Sequence, residues 1–138
     1  SVFLCTQAAA RQMREHGGGN VVNIGSIVGQ NAIPQTLGYC GSKAAVNHMT
    51  RVLAAELARH NIRVNCVAPG YIRTELIVDL AEQGKFSLNA IEKRTPQRRL
   101  GTGADVARAV VYVASEAAAF MTGHVLVLDG GWTAYGYL

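Results

Sequence analysis

The run Asn61-Ile62-Arg63-Val64-Asn65-Cys66-Val67-Ala68-Pro69-Gly70 constrains the fold more than any other stretch of this chain. It is apolar and β-branched over most of its length and closes on a turn, the pattern of a strand buried in a parallel sheet. Ahead of it lie about twenty residues of helical spacing, in which Val46, Met49, Leu53 and Leu57 recur every three or four positions. Ahead of that helix stands Val21-Val22-Asn23-Ile24, inside a strand spanning 20–25. Strand, helix and strand in this order make a βαβ unit. Its polar residues gather at the carboxyl ends of the strands, where open α/β sheets bind ligands.

Three residues at that edge can move a proton. Tyr39 and Lys43, in Tyr39-Cys40-Gly41-Ser42-Lys43, are four apart and so share one face of a helix. A phenol titrates near pKa ~10 and is a poor acid-base group at pH 7. A neighbouring ammonium favours phenolate, the more so in a desolvated site with a second positive charge. Ser26, 13 residues before Tyr39, falls where the strand gives way to a loop, so its hydroxyl can hold a substrate oxygen while Tyr39 exchanges the proton. The Tyr-x-x-x-Lys spacing alone also fits two side chains on the outer face of an amphipathic helix. The flanking strands favour the proton-transfer site.

Four segments carry a resemblance: Asn23-Ile24-Gly25-Ser26, Tyr39 to Lys43, Arg63-Val64-Asn65 through Pro69-Gly70-Tyr71-Ile72-Arg73-Thr74, and Thr122-Gly123-His124 through Asp129-Gly130-Gly131. In their order and extent they resemble the catalytic, C-terminal half of the short-chain dehydrogenase/reductase family, in its classical subfamily. The resemblance implies an α/β fold in which residues 1–138 form one partial domain, the C-terminal half of a doubly wound Rossmann-type parallel sheet. It implies an NAD(P)-dependent oxidoreductase that interconverts a secondary alcohol and a ketone, using NAD or NADP. The small-molecule substrate would be of the 3-oxoacyl, sugar or polyol, or cyclic alcohol type. By the same resemblance, Tyr39 is the acid-base group, Lys43 binds ribose and favours the phenolate, and Ser26 orients the substrate. Pro69, Gly70, Ile72 and Thr74 would line the nicotinamide and pyrophosphate end of the cofactor, beside Tyr39 and Lys43. The helices over 2–15 and 40–58 would form a dimer face packed as a four-helix bundle, within a homo-oligomer that is a dimer or a tetramer.

The family's opening strand, its T-G-x-x-x-G-x-G turn and its N-A-G segment do not occur in these residues, and its catalytic-helix asparagine would fall just before Ser1. The N-terminal cofactor-binding half is therefore expected to be absent, and the chain to be a fragment or part of a longer protein. With that half goes the residue that separates NAD from NADP users. A catalytically inactive fragment serving only as an oligomerisation module is the alternative reading. Gly17-Gly18-Gly19 is no substitute for the missing turn, because it follows a helix and precedes a strand, and so reads as a helix C-cap. Gly101-Thr102-Gly103 precedes a helix but follows no strand.

Net charge is +4, from 13 basic and 9 acidic residues, with Lys93, Arg94, Arg98 and Arg99 close together. No aromatics are interleaved with them, so they read as a solvated loop and no nucleic-acid partner is expected. Cys5, Cys40 and Cys66 lack C-x-x-C spacing and read as reduced core thiols of a cytoplasmic protein without a metal site. No run reaches the ~18 apolar residues of a membrane span, and no signal-peptide pattern opens the chain, so a soluble protein without a membrane partner is expected. The loop over 27–38 should wall the substrate, and the family resemblance implies that short helices over 75–83 and 87–93 form a lid. A last helix should run from Asp105 to about Glu116, ahead of a strand over 124–128 in which His124 is structural. Trp132, Tyr135 and Tyr137 make an aromatic tail that must dock on this chain or on a partner.

Overall fold

In the computed structural model, which describes residues 1–136, three parallel strands form one sheet in the order β1-β2-β3. They are β1 (Gly19–Ile24), β2 (Ile62–Pro69) and β3 (Val125–Leu128). Tyr137 lies outside the described residues. The register sets Ile24 opposite Val67 and Cys66 opposite Val125, so β1 and β2 end at one edge of the sheet. Among the described residues β1 pairs with β2 alone.

Period-two alternation assigns the two faces of β2. Ile62 and Val64 are fully buried and pack with Leu53 and Ala54 of α2 (Leu37–Leu57) and Ala10 of α1 (Val2–Glu15). Further along the same face, Cys66 and Ala68 pack with Val46 and Val125. The opposite face carries Arg63 and Asn65, whose side chains hold main-chain carbonyls. Arg63 Nη1 donates to Val113 O at 3.0 Å and Met121 O at 3.1 Å, and its Nη2 to Ser115 O at 3.1 Å. Asn65 Nδ2 donates to Met121 O at 2.7 Å, while its Oδ1 accepts from His124 N at 3.0 Å.

Those bonds explain where the last helix stops. It is α5, Gly103–Ala114, ending two residues before the expected Glu116 and followed by a 3-10 turn at Glu116–Ala118. Carbonyls at its end are taken by Arg63 and by Asn20, whose Nδ2 donates to Ala114 O at 3.1 Å. It begins at Gly103 because Thr102 and Asp105 form a capping box. Arg99 at 2.8 Å, then Thr102 and Arg108, hold the Asp105 carboxyl well below the usual carboxylate range. The final strand begins one residue after His124, whose carbonyl still accepts from Cys66 N at 2.8 Å.

The triple glycine closes α1 as expected. Gly18 has φ +134°, and a Cβ there would overlap the Asn61 backbone, so only glycine passes. Two readings need correction. Cys5 is exposed on α1 and Cys40 is half-buried, leaving Cys66 as the one buried thiol of the three. The basic cluster is more than a solvated loop, since Arg99 pairs with Asp105 and the Arg94 guanidinium lies 4.1 Å from the centre of the Trp132 ring. No helix among the described residues is long and apolar enough to cross a membrane.

Removing the Arg63 guanidinium takes the side-chain donor from Val113 O at a partly buried site, and one of two donors from Met121 O and Ser115 O, which keep Asn65 Nδ2 and the Ala118 amide. Arg63→Ala is expected to cost about 2 kcal/mol of unfolding free energy. Urea titration followed by circular dichroism checks this, and an unchanged midpoint would mean that Arg63 does not pin the end of α5.

Candidate active site

At the end of β1 the chain turns through Gly25 and Ser26 into a 3-10 turn, Ile27–Gly29. Ser26 is buried and caps that turn, its Oγ accepting from Val28 N at 3.3 Å. The turn lies close against α2. A Cβ at Gly25 or Gly29 would collide with the side-chain amide of Asn47, which is buried and accepts from the Cys66 thiol at 3.6 Å. Burial pushes the Cys66 pKa up, with Lys43 among the groups that partly offset it.

Tyr39 stands in the first turn of α2, 53% exposed. Lys43 follows one turn later. Its Nζ donates to Ile24 O at 3.1 Å, which ties α2 to the end of β1, and lies 5.8 Å from the centre of the Tyr39 ring. Ser26, Tyr39, Gly70, Ile72 and Thr74 all line a single cavity of about 410 Å³. Pro69 is not among its walls; it is the last residue of β2, paired with Leu128.

The far wall comes from the chain after β2. Gly70 donates to Leu128 O at 2.9 Å, and a Cβ on it would meet Asp129 Cβ at 2.7 Å. Burial acts to raise the Asp129 pKa, yet the hydroxyl and amide of Thr133, with the amides of Gly131 and Trp132, outweigh it and hold the carboxylate below its ordinary range. That turn delivers Trp132 to Tyr71, the ring centres 4.8 Å apart, so this part of the aromatic tail docks on its own chain. Burial pushes the Tyr71 phenol up. Thr74 then caps α3 (Glu75–Glu82), its Oγ1 accepting from Ile77 N at 3.4 Å, and α4 (Leu88–Arg94) follows. Leu76, Ile77 and Leu80 of α3, with Phe86 beyond it, complete the cavity.

Asn47 was legible in principle, because it continues the four-residue spacing of Tyr39 and Lys43 along one helix face. Tyr71 and Phe86 carry no such local signal. Their place in the wall, with ring centres 6.4 Å apart, exists only once α3 folds back over the strand ends.

Residues 1–133 match the family model described as Enoyl-(Acyl carrier protein) reductase. This chain belongs to the short-chain dehydrogenase/reductase family. It is 44% identical over 137 residues to a galactitol 2-dehydrogenase of Rhizobium johnstonii, covering 97% of this chain and 52% of that protein. It is 42% identical over 130 residues to a 3alpha-hydroxysteroid dehydrogenase of Mediterraneibacter gnavus, covering 94% and 51%. Among solved structures it is similar to a gluconate 5-dehydrogenase from Burkholderia cenocepacia in complex with NADP and tartrate, with a TM-score of 0.90 and 38% identity over 96% of this chain and 52% of that one. The chain thus spans about half the length of the curated relatives it matches, and its three-stranded parallel α/β sheet corresponds to part of such a short-chain dehydrogenase/reductase structure.

The thiols test this placement of α2 against the sheet. Iodoacetamide is expected to alkylate Cys5 in the folded protein and to leave Cys66 unmodified until urea unfolds it. Peptide mass mapping reads both sites. Equal labelling rates without denaturant would contradict the burial of Cys66 behind Lys43 and Asn47.

Proposed function

We propose that this chain supplies the proton-transfer and substrate-holding side of an NAD(P)-dependent oxidoreductase that interconverts a secondary alcohol and a ketone. The observation that carries the reading is the convergence of Ser26 and Tyr39 on one cavity, with the Lys43 ammonium beside the Tyr39 ring. In the reducing direction Tyr39 gives its phenolic proton to the carbonyl oxygen as that oxygen gains negative charge. Ser26 already accepts from Val28 N, which leaves its own O–H to donate to the same oxygen. Lys43 favours the phenolate left behind. Oxidation of the alcohol runs the same transfers backwards.

The residues present fit the nicotinamide half of a dinucleotide. Lys43 has three N–H donors and commits one to Ile24 O, leaving two beside Tyr39 for ribose hydroxyls. Gly70, without a Cβ, together with Ile72 and Thr74, offers a wall that a flat ring can approach. The bound cofactor would supply or accept the hydride. The NADP in the related gluconate 5-dehydrogenase structure supports this assignment. The names of the relatives support a secondary alcohol carried on a ring or on a polyol chain.

We further propose that the protein is a homo-oligomer, a dimer or a tetramer, joined through α1 and α2. Phe3 and Leu4 of α1 and Val52 of α2 are large apolar side chains left exposed, and Ala55 lies exposed near Val52. Two such helices from each subunit can form a self-complementary contact.

In the complete protein, Tyr39→Phe is expected to lower kcat by about 10² or more while cofactor binding persists. Lys43→Ala is expected to raise the KM for cofactor as well. Steady-state kinetics with the cofactor followed at 340 nm decide it, and near-normal turnover by Tyr39→Phe would end this mechanism. Ala55→Arg buries an unpaired charge in the proposed interface and should split the assembly in light scattering. An intact oligomer would place the interface elsewhere.

A further inference from the structure

The oxidoreductase reading leaves the substrate open, and the walls of the catalytic cavity narrow it. Among the described residues that line its roughly 410 Å³, none carries a charged side chain. Arg94 lines, with Trp132, an adjoining hollow that shares Ile27, Val28, Ile33 and Tyr71 with the cavity. The hydroxyls in the cavity walls belong to Ser26, Thr36, Tyr39, Tyr71 and Thr74. Thr36 donates its one hydroxyl hydrogen to Ile33 O at 2.8 Å, and the Thr74 oxygen is engaged in capping α3. Ser26 and Tyr39 are reserved for the reacting oxygen. Beyond Tyr71 that leaves only the acceptor side of Thr36 and the O–H of Thr74, too little to match the row of hydroxyls on a polyol.

The remaining surface is apolar. Val28 and Ile33 face it from the loop after β1, Leu76, Ile77 and Leu80 from α3, and Phe86 from the segment beyond. Leu76 lines the cavity yet is 64% exposed, an apolar surface that an apolar occupant would cover. With the nicotinamide against Gly70, Ile72 and Thr74, the rest of the roughly 410 Å³ is left to the substrate, within the size range of small-molecule sites. A sugar or sugar acid entering it would give up water at each hydroxyl and regain few partners.

Resting on the reading of the site as a secondary alcohol and ketone oxidoreductase, we infer that its substrate carries the reacting oxygen on a bulky apolar skeleton, such as a fused or substituted ring. Open-chain polyols and sugar acids, which present a hydroxyl on nearly every carbon, are selected against by the same walls. Leu76, Leu80 and Phe86 are the specificity-determining side chains.

The test measures binding separately from turnover. Calorimetric titration of the complete protein, saturated with NAD or NADP, would use 2-decalone as the apolar ketone, with sorbitol and gluconate as the polar probes. The expected result is that 2-decalone binds about 100-fold more tightly than either polar probe. Leu76→Asn, at an exposed position that does not threaten the fold, is expected to weaken 2-decalone binding about tenfold. Sorbitol or gluconate binding as tightly as 2-decalone, no measurable binding of 2-decalone, or an affinity unmoved by Leu76→Asn would each overturn the inference. Reduction of 2-decalone with cofactor oxidation is followed in parallel. Selective binding without turnover would uphold the cavity's preference and sink the hydride-transfer reading, so the two failures are distinguishable.

Discussion

Parallel pairing of β1 with β2 is the constraint from which the site follows. Two parallel neighbours must be joined by a crossover, and the crossover helix runs back against them. Both strands therefore end at one edge, with Ile24 opposite Val67, and α2 begins at that same edge. Ser26 leaves β1 there, Gly70 leaves β2 there, and the first turn of α2 sets Tyr39 between them. The Lys43 bond to Ile24 O then holds helix and strand end together across the junction. A strand pair of the other sense could be joined by a short turn, and these residues would not meet.

The two faces of β2 solve different problems. One buries Ile62, Val64, Cys66 and Ala68 under α2, where small residues such as Ala54 allow a close approach. The other carries Arg63 and Asn65 into the interior, which is tolerable because each reaches main-chain groups around the end of α5 and the entry to β3. Polar residues inside this sheet are therefore not all functional. What separates Ser26 and Tyr39 from Arg63 and Asn65 is the open cavity in front of them.

That cavity also divides chemistry from selection. The groups suited to moving a proton sit in the turn after β1 and on α2, the better-buttressed part of the structure, where Asn47 wedges the Ser26 turn against the helix. The groups that would choose the substrate sit on α3 and the segment after it, where no residue of α3 is fully buried. Side chains with so little of their surface committed to the core can change with small effects on folding. Relatives at nearly the same identity, named for a steroid and for a sugar alcohol, fit such a division.

Much of this was written locally. The apolar runs at 20–25 and 62–68, the helical spacing after Lys43 and the four-residue step from Tyr39 specify the strands, the crossover and the shared helix face of Tyr39 and Lys43, because these depend on periods of two and 3.6 that any short window reveals. Helix ends were less legible: α5 stops at Ala114 because Arg63 and Asn20, distant in sequence, take its last carbonyls. The exposure of Cys5, the stacking of Arg94 on Trp132 and the cavity wall of Tyr71, Leu76 and Phe86 were decided only by tertiary structure. Each depends on which surfaces meet after the chain has crossed over. The sequence by itself thus determined which residues stand at the strand ends, through local periodicity, and long-range packing alone decided the shape and polarity of the space in front of them.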